Sequence, residues 1–72
     1  MVRVHFRLTD AGPVDIPLAG SLPFAEVLAL AIGKSGYRPG GYIAVRAGRV
    51  IGAADLVEDG EHIDIFPALS GG

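Results

Sequence analysis

Two consecutive glycines, Gly71 and Gly72, stand at the end of the sequence and have its most distinctive chemistry. A glycine carboxylate is unhindered, and a glycine without a side chain passes through a narrow channel and adopts unusual backbone angles. The six residues after Phe66 span about 20 Å when extended. We therefore predict that residues 67–72 form a flexible tail, in which Ser70 and Gly71 thread a partner's channel and Gly72 presents its carboxylate there.

The apolar side chains that precede the glycines predict a contact surface. Leu69 lies within the predicted tail, and an apolar side chain in an exposed segment needs a partner surface to cover it. We interpret Leu69, Phe66 and Pro67 as partner-interface residues. Ordinary closure of the core is the alternative interpretation, and for Phe66 the two are equally compatible with the sequence.

The other polar residues do not form a recognisable catalytic set. The sequence has no cysteine, which excludes disulfides, thiolate metal sites and a thiol nucleophile. It shows no Ser-His-Asp set and no pattern for a carboxylate pair in a pocket. The glycine-rich segment 36–41 lacks the Lys-Ser/Thr ending of a phosphate-binding loop. We therefore expect no catalytic residues and no bound cofactor, and a carrier or binding protein rather than an enzyme.

Histidine, arginine and lysine side chains offer weaker signals. His5 and His62 are predicted on neighbouring strands, but a metal site needs three or four ligands, so we predict surface residues and no metal. Arg3 and Arg7 share the outward face of His5, which predicts either a solvated face or a docking surface for an acidic patch. Lys34 is the only lysine; its position at a helix end favours the helix dipole and argues against polymeric conjugates.

Alternating apolar residues predict the strands that position these groups. The alternating sets are Val2, Val4, Phe6 and Leu8; Val14, Ile16 and Leu18; Ile43 and Val45; and Ile63 and Ile65. The turn residues 10–13 make the first two strands an antiparallel hairpin. Pro17 suits an edge strand because it has no N–H group.

One helix is predicted after the hairpin. Its apolar stripe follows the i, i+3, i+4 pattern and consists of Phe24, Val27, Leu28, Ala31 and Ile32. Ser21 is predicted to cap its start, with Pro23 in the first turn, and Gly33 and Gly36 are predicted to mark its end. Residues 47–48 then predict a tight turn, and residues 53–57 a helical turn.

The predicted order β-β-α-β-β-β indicates an α+β fold. A hairpin, a helix and further strands give a mixed sheet of four or five strands with one main helix packed on one face. This is the order of the β-grasp, or ubiquitin-like, fold, with the first and last strands as a parallel central pair. We predict residues 1–66 as the globular domain and residues 67–72 as its tail.

Size and charge limit the possible partners. With 72 residues, of which 50% are hydrophobic, the chain has a small but sufficient core and is not a disordered protein. A net charge of −2 without a basic cluster argues against nucleic acid. Because no segment resembles a signal peptide or the ~20 apolar residues of a membrane span, we expect a cytoplasmic protein without membrane contact.

The segment from Asp59 to Gly72 resembles the C-terminus of the ubiquitin-like sulfur carriers. This family includes the small subunit of molybdopterin synthase and the sulfur carrier of thiamine biosynthesis. Its molybdopterin type has an acidic-Gly turn, a strand and then Phe-Pro-Pro-x-x-Gly-Gly. The residues that match are Phe66, Pro67, Gly71 and Gly72, and Ala68 replaces the second proline. Residues 45–51 resemble the family's Val-Asn-Gly hairpin, without the Asn and with one extra residue.

The resemblance implies a cycle of activation and sulfur transfer. An adenylyltransferase similar to the ubiquitin-activating type uses ATP to adenylate the Gly72 carboxylate. A sulfur donor, such as a cysteine desulfurase or a rhodanese-type protein, displaces AMP and leaves a thiocarboxylate on Gly72. An acceptor synthase then transfers the sulfur into a cofactor or metabolite. A thiocarboxylate is a sulfur nucleophile that needs no cysteine, which agrees with the composition.

Two other functions are compatible with the same sequence. The chain is either a ubiquitin-like modifier joined through Gly72 to lysines of other proteins, or a plain β-grasp interaction domain with an inactive tail. Among carriers, Phe66 and Pro67 favour the molybdopterin type, whereas Ala68 and the short chain favour the thiamine type or another sulfur route. A carrier of this kind acts free or as the small subunit of a synthase complex.

Overall fold

A computed structural model describes residues 1–68 of the chain. The elements are, in order, β1 (Val2–Phe6), β2 (Pro13–Ile16), β3 (Leu22–Pro23), α1 (Phe24–Ser35), β4 (Tyr42–Arg46), β5 (Arg49–Ile51), β6 (Leu56–Val57) and β7 (His62–Pro67). Five strands form one sheet in the order β2-β1-β7-β4-β5, and β3 pairs with β6 in a separate two-stranded sheet. The helix packs on one face of the larger sheet, so the α+β class is confirmed.

The centre of the sheet is a parallel pair formed by β1 and β7. In this pair Val4 lies opposite Ile63, and Phe6 lies opposite Ile65. The neighbouring pairs, β1 with β2, β4 with β7 and β4 with β5, are antiparallel. The predicted mixed sheet with its first and last strands side by side is therefore confirmed, and it has five strands.

The hydrophobic core lies between this sheet and the helix. Alternate residues of the strands and the apolar stripe of α1 are its members, which are Val2, Val4, Phe6, Val14, Ile16, Phe24, Val27, Leu28, Ala31, Ala44, Ile51, Val57, Ile63 and Ile65. Each large apolar side chain that is fully buried stabilises the fold by about 1.5–3 kcal/mol relative to exposure. Within the described residues no polar side chain is buried, so all polar groups face solvent or the rim.

The start of the helix differs from the prediction. Pro23, with φ −59° and ψ 145°, precedes the first helical residue, Phe24, and no side chain caps the first turn. The N–H of Phe24 instead donates to the backbone carbonyl of Asp55 at 2.8 Å. The prediction of Ser21 as the cap is wrong because a distant backbone carbonyl satisfies a donor that a local side chain was expected to bind.

The end of the helix confirms one of the two predicted glycines. Gly36 follows the last turn with φ 76°, and its N–H donates to the carbonyl of Ile32 at 2.8 Å. That left-handed conformation favours glycine. Gly33 lies inside the helix, so its prediction as a stop is wrong; an internal glycine costs about 1 kcal/mol relative to alanine, which tertiary packing offsets. Among the described residues, no helix has both the length and the apolar composition to cross a bilayer.

The turns confirm the prediction at residues 47–48 and correct it at residues 53–57. Ala47 and Gly48 both have positive φ, 52° and 79°, the pattern of the two-residue turn that matches the twist of a hairpin. Residues 53–57 do not form a helical turn. The N–H of Gly52 donates to the Asp55 carboxylate at 2.6 Å, and this closes a turn that leads into β6.

The first strand is shorter than the alternation predicted. It ends at Phe6, whose carbonyl accepts a hydrogen bond from the Thr9 hydroxyl at 2.9 Å. That hydroxyl also accepts from the N–H of Ala11 at 3.1 Å. Leu8 therefore lies in a turn, with φ 61° and 83% exposure, and the prediction that it is buried is wrong.

Candidate functional site

The root of the predicted tail is fixed at the end of the central strand β7. Phe66 lies opposite Ile43 and Pro67 opposite Tyr42 in the pairing of β7 with β4. The N–H of Ala68 continues this ladder with a hydrogen bond of 3.0 Å to the carbonyl of Gly41. The main chain is therefore held by the sheet up to Ala68.

The residues predicted for the chemistry itself lie beyond that point. Leu69, Ser70, Gly71 and Gly72 are outside the described residues. Their predicted roles in partner contact, threading and carboxylate activation stay predictions. The structure describes the end of β7 and Ala68, from which these four residues continue.

A shallow cleft lies beside the root. Phe6, Tyr37, Gly41 and Pro67 are among its lining residues. The rings of Phe6 and Tyr37 pack with their centroids 5.1 Å apart, so aromatic packing supports the wall of the cleft from the core side. A Cβ atom at Gly41 would lie 3.5 Å from the Ala68 carbonyl oxygen, which is ordinary contact distance.

The sheet face opposite the helix has an exposed apolar patch next to the root. Alternate residues of a strand point to opposite faces, so the burial of Ala44 and Ile65 directs their neighbours outward. We define the apolar patch as Ile43, Val45, Val50 and Phe66. Ile43 is 45% exposed and Val50 is 72% exposed, and the register places Ile43 beside Phe66 and Val45 beside Val50.

Charged side chains occupy the other half of this outward face. We define the charged band as Arg3, His5, Arg7, Asp15, His62 and Asp64. Its ion pairs join neighbouring strands: the Arg3 Nε lies 2.8 Å from Asp15 Oδ1, and the Arg7 Nη1 lies 3.4 Å from Asp64 Oδ1. The Arg7 guanidinium also lies 5.9 Å from the centroid of the Phe66 ring, within the range of cation–π attraction. Arg7 therefore connects the charged band to the apolar patch.

Leu8 is a candidate interface residue that sequence reasoning missed. A leucine in the left-handed region is strained, typically by about 1 kcal/mol or more, and exposure of an apolar side chain adds no compensation. Leu8 directly follows Arg7, a member of the charged band, and is exposed in the turn after β1. The signal available in the sequence was the hydroxyl of Thr9, which starts the turn one residue before the Asp-Ala-Gly-Pro segment.

The two histidines are neighbours, as predicted, and Asp64 joins them. The parallel register places His5 opposite Asp64 and His62 two residues before it on the same face. One ligand atom from each of the three side chains lies within 4.8 Å of the other two. Sequence reasoning missed Asp64 because it counted only histidines as metal ligands. The strand register shows that the Asp64 carboxylate lies on the same face as both imidazole rings.

Asp15 has the most strongly held carboxylate of the band. The hydrogen bond from Arg3 is the main cause that lowers the pKa of Asp15, and the positive charges of Arg3 and Lys34 act in the same direction. The Lys34 Nζ also donates to the backbone carbonyl of Asp15 at 2.7 Å. Lys34 lies in the last helical turn, as predicted. Its hydrogen bond to Asp15 links α1 to β2.

Comparison with known proteins did not identify a relative. No protein-family model matches the chain, and no curated protein matches it. Arguments about its function therefore rest on the residues and on their geometry.

The substitution Arg3→Gln tests the electrostatics of the band. Without the guanidinium, the pKa of Asp15 should rise toward its ordinary value of 3.8. A lowered pKa stabilises the fold above the unfolded-state value, and this contribution is lost as the pH falls through the folded-state value. The variant should lack most of this contribution, and its Asp15 should titrate at higher pH than in the parent chain. Carboxyl chemical shifts of Asp15, followed by NMR during an acid titration, measure the change.

The matched control is Arg49→Gln, which removes the same charge from the opposite edge strand, β5. This control should leave the Asp15 titration where it is in the parent chain. An unchanged Asp15 curve in the Arg3→Gln variant would contradict the assignment of Arg3 as the cause.

Proposed function

We propose that this chain is a sulfur carrier of the β-grasp type, a protein cosubstrate that acts through a Gly72 carboxylate. The observation that supports this best is the central parallel pair. β7, the inner strand of that pair, also pairs with β4 and ends beside its start. This end lies at the edge of an outward face that no helix among residues 1–68 covers. The strand order, the single helix and the mixed sheet are compatible with a β-grasp fold. The sequence places two glycines three and four residues beyond the root at Ala68.

The pairing of β7 in the sheet fixes the position of the root from which the tail extends. Hydrogen bonds hold β7 on both sides, to β1 and to β4, so the position of Ala68 is fixed relative to the outward face. The four residues that follow have a maximum reach of about 14 Å. A partner that binds the outward face would receive the Gly72 carboxylate at a defined distance from its docking surface.

The outward face supplies the docking contacts in this proposal. The apolar patch gives area whose removal from water favours a complex. Arg7 lies at the border of the patch, where it would meet an acidic side chain of the partner and contribute orientation and association rate. The same face would bind the activating adenylyltransferase and the acceptor synthase in turn, because both must receive the same tail.

The chemistry takes place in the partner and requires no nucleophilic side chain from this chain. An oxygen of the Gly72 carboxylate attacks the α-phosphorus of ATP, and pyrophosphate leaves. The acyl-adenylate is an electrophile, and sulfur from a persulfide-type donor attacks its carbonyl carbon while AMP leaves. The product is an acyl disulfide between the donor and Gly72. A thiol then attacks the donor's sulfur, forms a mixed disulfide with the donor and releases the thiocarboxylate. The absence of cysteine from the chain is compatible with this route, since the carried sulfur is bonded to the terminal carbonyl carbon.

Trapping of the acyl-adenylate tests the proposal. The full chain is incubated with host extract, ATP and hydroxylamine, and we expect an ATP-dependent hydroxamate on Gly72 in the mass spectrum of the C-terminal peptide. Gly72→Val should lower its rate of formation at least tenfold, equivalent to about 1.4 kcal/mol, because the added side chain hinders the carbonyl and blocks the channel.

The control for this experiment is Gly20→Ala, at a position where a Cβ atom meets nothing within 4 Å. Its trapping rate should equal that of the parent chain. A parent chain that forms no hydroxamate in any extract of its host would contradict the proposal and leave a plain interaction domain. Attachment of Gly72 to lysines of other proteins, with no thiocarboxylate in the presence of a sulfur source, would identify a protein modifier instead.

The substitution Leu8→Asn tests the docking face separately from the fold. Asparagine adopts the left-handed conformation more readily than leucine, so the free energy of unfolding in urea should rise by roughly 0.5 kcal/mol. The apparent KM of the chain in the trapping assay should nevertheless rise about tenfold, a typical cost of removing an apolar anchor from an interface.

Leu56→Asn is the matched control, because Leu56 is 57% exposed and lies in the separate two-stranded sheet. It should leave the KM unchanged. If Leu8→Asn raises stability but keeps the parent KM, Leu8 does not contribute to docking.

A further inference from the structure

Three metal-ligating side chains converge on the outward face of the sheet. His5 lies on β1, and His62 and Asp64 lie on β7, with His5 directly opposite Asp64 in the parallel register. One ligand atom from each lies within 4.8 Å of the others. The Nε2 of His62 is 3.6 Å from Asp64 Oδ1. The two histidines alone are too few ligands for a metal site, and the Asp64 carboxylate raises the number of candidate ligands to three.

The donor set indicates which ions fit. Two imidazole nitrogens and one carboxylate oxygen suit Zn²⁺ and its neighbours Co²⁺, Ni²⁺ and Cu²⁺, whereas Mg²⁺ and Ca²⁺ prefer oxygen ligands throughout. Three protein ligands with water in the remaining position form an open zinc site. Ligand atoms at about 2.0–2.1 Å from a tetrahedral ion are roughly 3.3 Å apart, so the three side chains must close by a small amount.

The surroundings allow that adjustment. The backbones of β1 and β7 are fixed by their ladder, which keeps the three Cα atoms in register. The side chains of His62 and Asp64 are 54% and 30% exposed, so their rotamers adjust without disturbing the core. A site built on paired strands holds its ligands more accurately than one built on loops.

We propose that His5, His62 and Asp64 bind one divalent transition-metal ion, with Zn²⁺ as the representative, on the outward face of the sheet. The site is independent of the carrier function, since it uses neither the Gly72 carboxylate nor a partner protein. Its ligands belong to the two strands that also form the centre of the fold.

The Arg7 guanidinium competes with a metal ion for the Asp64 carboxylate. Its Nη1 lies 3.4 Å from Asp64 Oδ1, the oxygen that also faces His62. The guanidinium is therefore paired with the carboxylate, and its positive charge repels a metal cation. Arg3, which lies opposite His62 in the register, is engaged by Asp15 at 2.8 Å and contributes less. Removal of the Arg7 charge should therefore strengthen metal binding. No such gain is expected if these side chains serve only as surface ion pairs.

Calorimetric titration of the untagged full chain with Zn²⁺, at mildly alkaline pH where free imidazole is neutral, tests the proposal. We expect one ion per chain with a dissociation constant in the micromolar range. His5→Asn, His62→Asn and Asp64→Asn should each weaken binding about tenfold or more, because loss of even an outer-shell partner of a metal ligand costs about 10–100-fold in affinity. Arg7→Gln should tighten it by roughly threefold or more, because a competing positive charge is removed.

The matched control is Asp10→Asn, which removes the same charge as Asp64→Asn at an exposed position outside the cluster. It should bind Zn²⁺ as the parent chain does. The sequence contains two histidines, so NMR shows directly whether both imidazole rings respond together at one equivalent of Zn²⁺, and dispersed amide spectra verify that each variant is folded.

Several results would overturn the proposal. Binding that does not saturate up to millimolar Zn²⁺, or that is the same in both histidine variants as in the parent chain, excludes the site. Equal weakening by Asp10→Asn and Asp64→Asn shows diffuse attraction to acidic residues. Weaker binding in Arg7→Gln shows that Arg7 supports the cluster instead of competing with the ion.

Discussion

The parallel pairing of β1 with β7 is the constraint on which the other features of this molecule depend. Strands that run side by side in the same direction need a crossover between them, and the connection through α1 covers one face of the sheet. The pair also brings residues from both ends of the described chain into the core, where Val4 and Ile63 are fully buried. Loss of this pairing would separate the two halves of the fold.

The same register determines the chemistry of the uncovered face. Side chains alternate along a strand, so the pairing that buries Val4 against Ile63 places the next pair, His5 and Asp64, on the outward face. Further along the same face, Arg7 lies close to Phe66. The helix-covered face stabilises the fold, and the outward face has the exposed apolar patch and the charged band. Docking and metal binding are proposed for this one face, whereas the proposed carboxylate chemistry requires only that β7 hold the root at Ala68.

Local patterns in the sequence were sufficient for the large sheet, the buried faces of β1, β2 and β7 and the apolar stripe of the helix, because period-2 and period-3.6 repeats depend on neighbouring residues alone. In β4 the alternating Ile43 and Val45 point outward, and Ala44 is the buried residue. The errors occur where a contact that is not part of the apolar repeat decides, either with a distant group or with a neighbouring side chain. Ser21 lost its capping role to the carbonyl of Asp55, and Leu8 left the strand because Thr9 closes a turn. Asp64 was missed as a partner of the histidines because cross-strand register is not a local signal. The roles predicted for Leu69, Ser70, Gly71 and Gly72 rest on the sequence and on the family resemblance, and stay predictions.

The central claim is that the reactive group is the carboxylate of Gly72, and the mass of the chain recovered untagged from its native host tests it most directly. The account predicts a fraction that is heavier by one sulfur-for-oxygen exchange, located on Gly72 by fragmentation and lost on hydrolysis. Recovery of the unmodified mass alone, from cells and also after incubation with ATP, a sulfur source and host extract, would contradict the account.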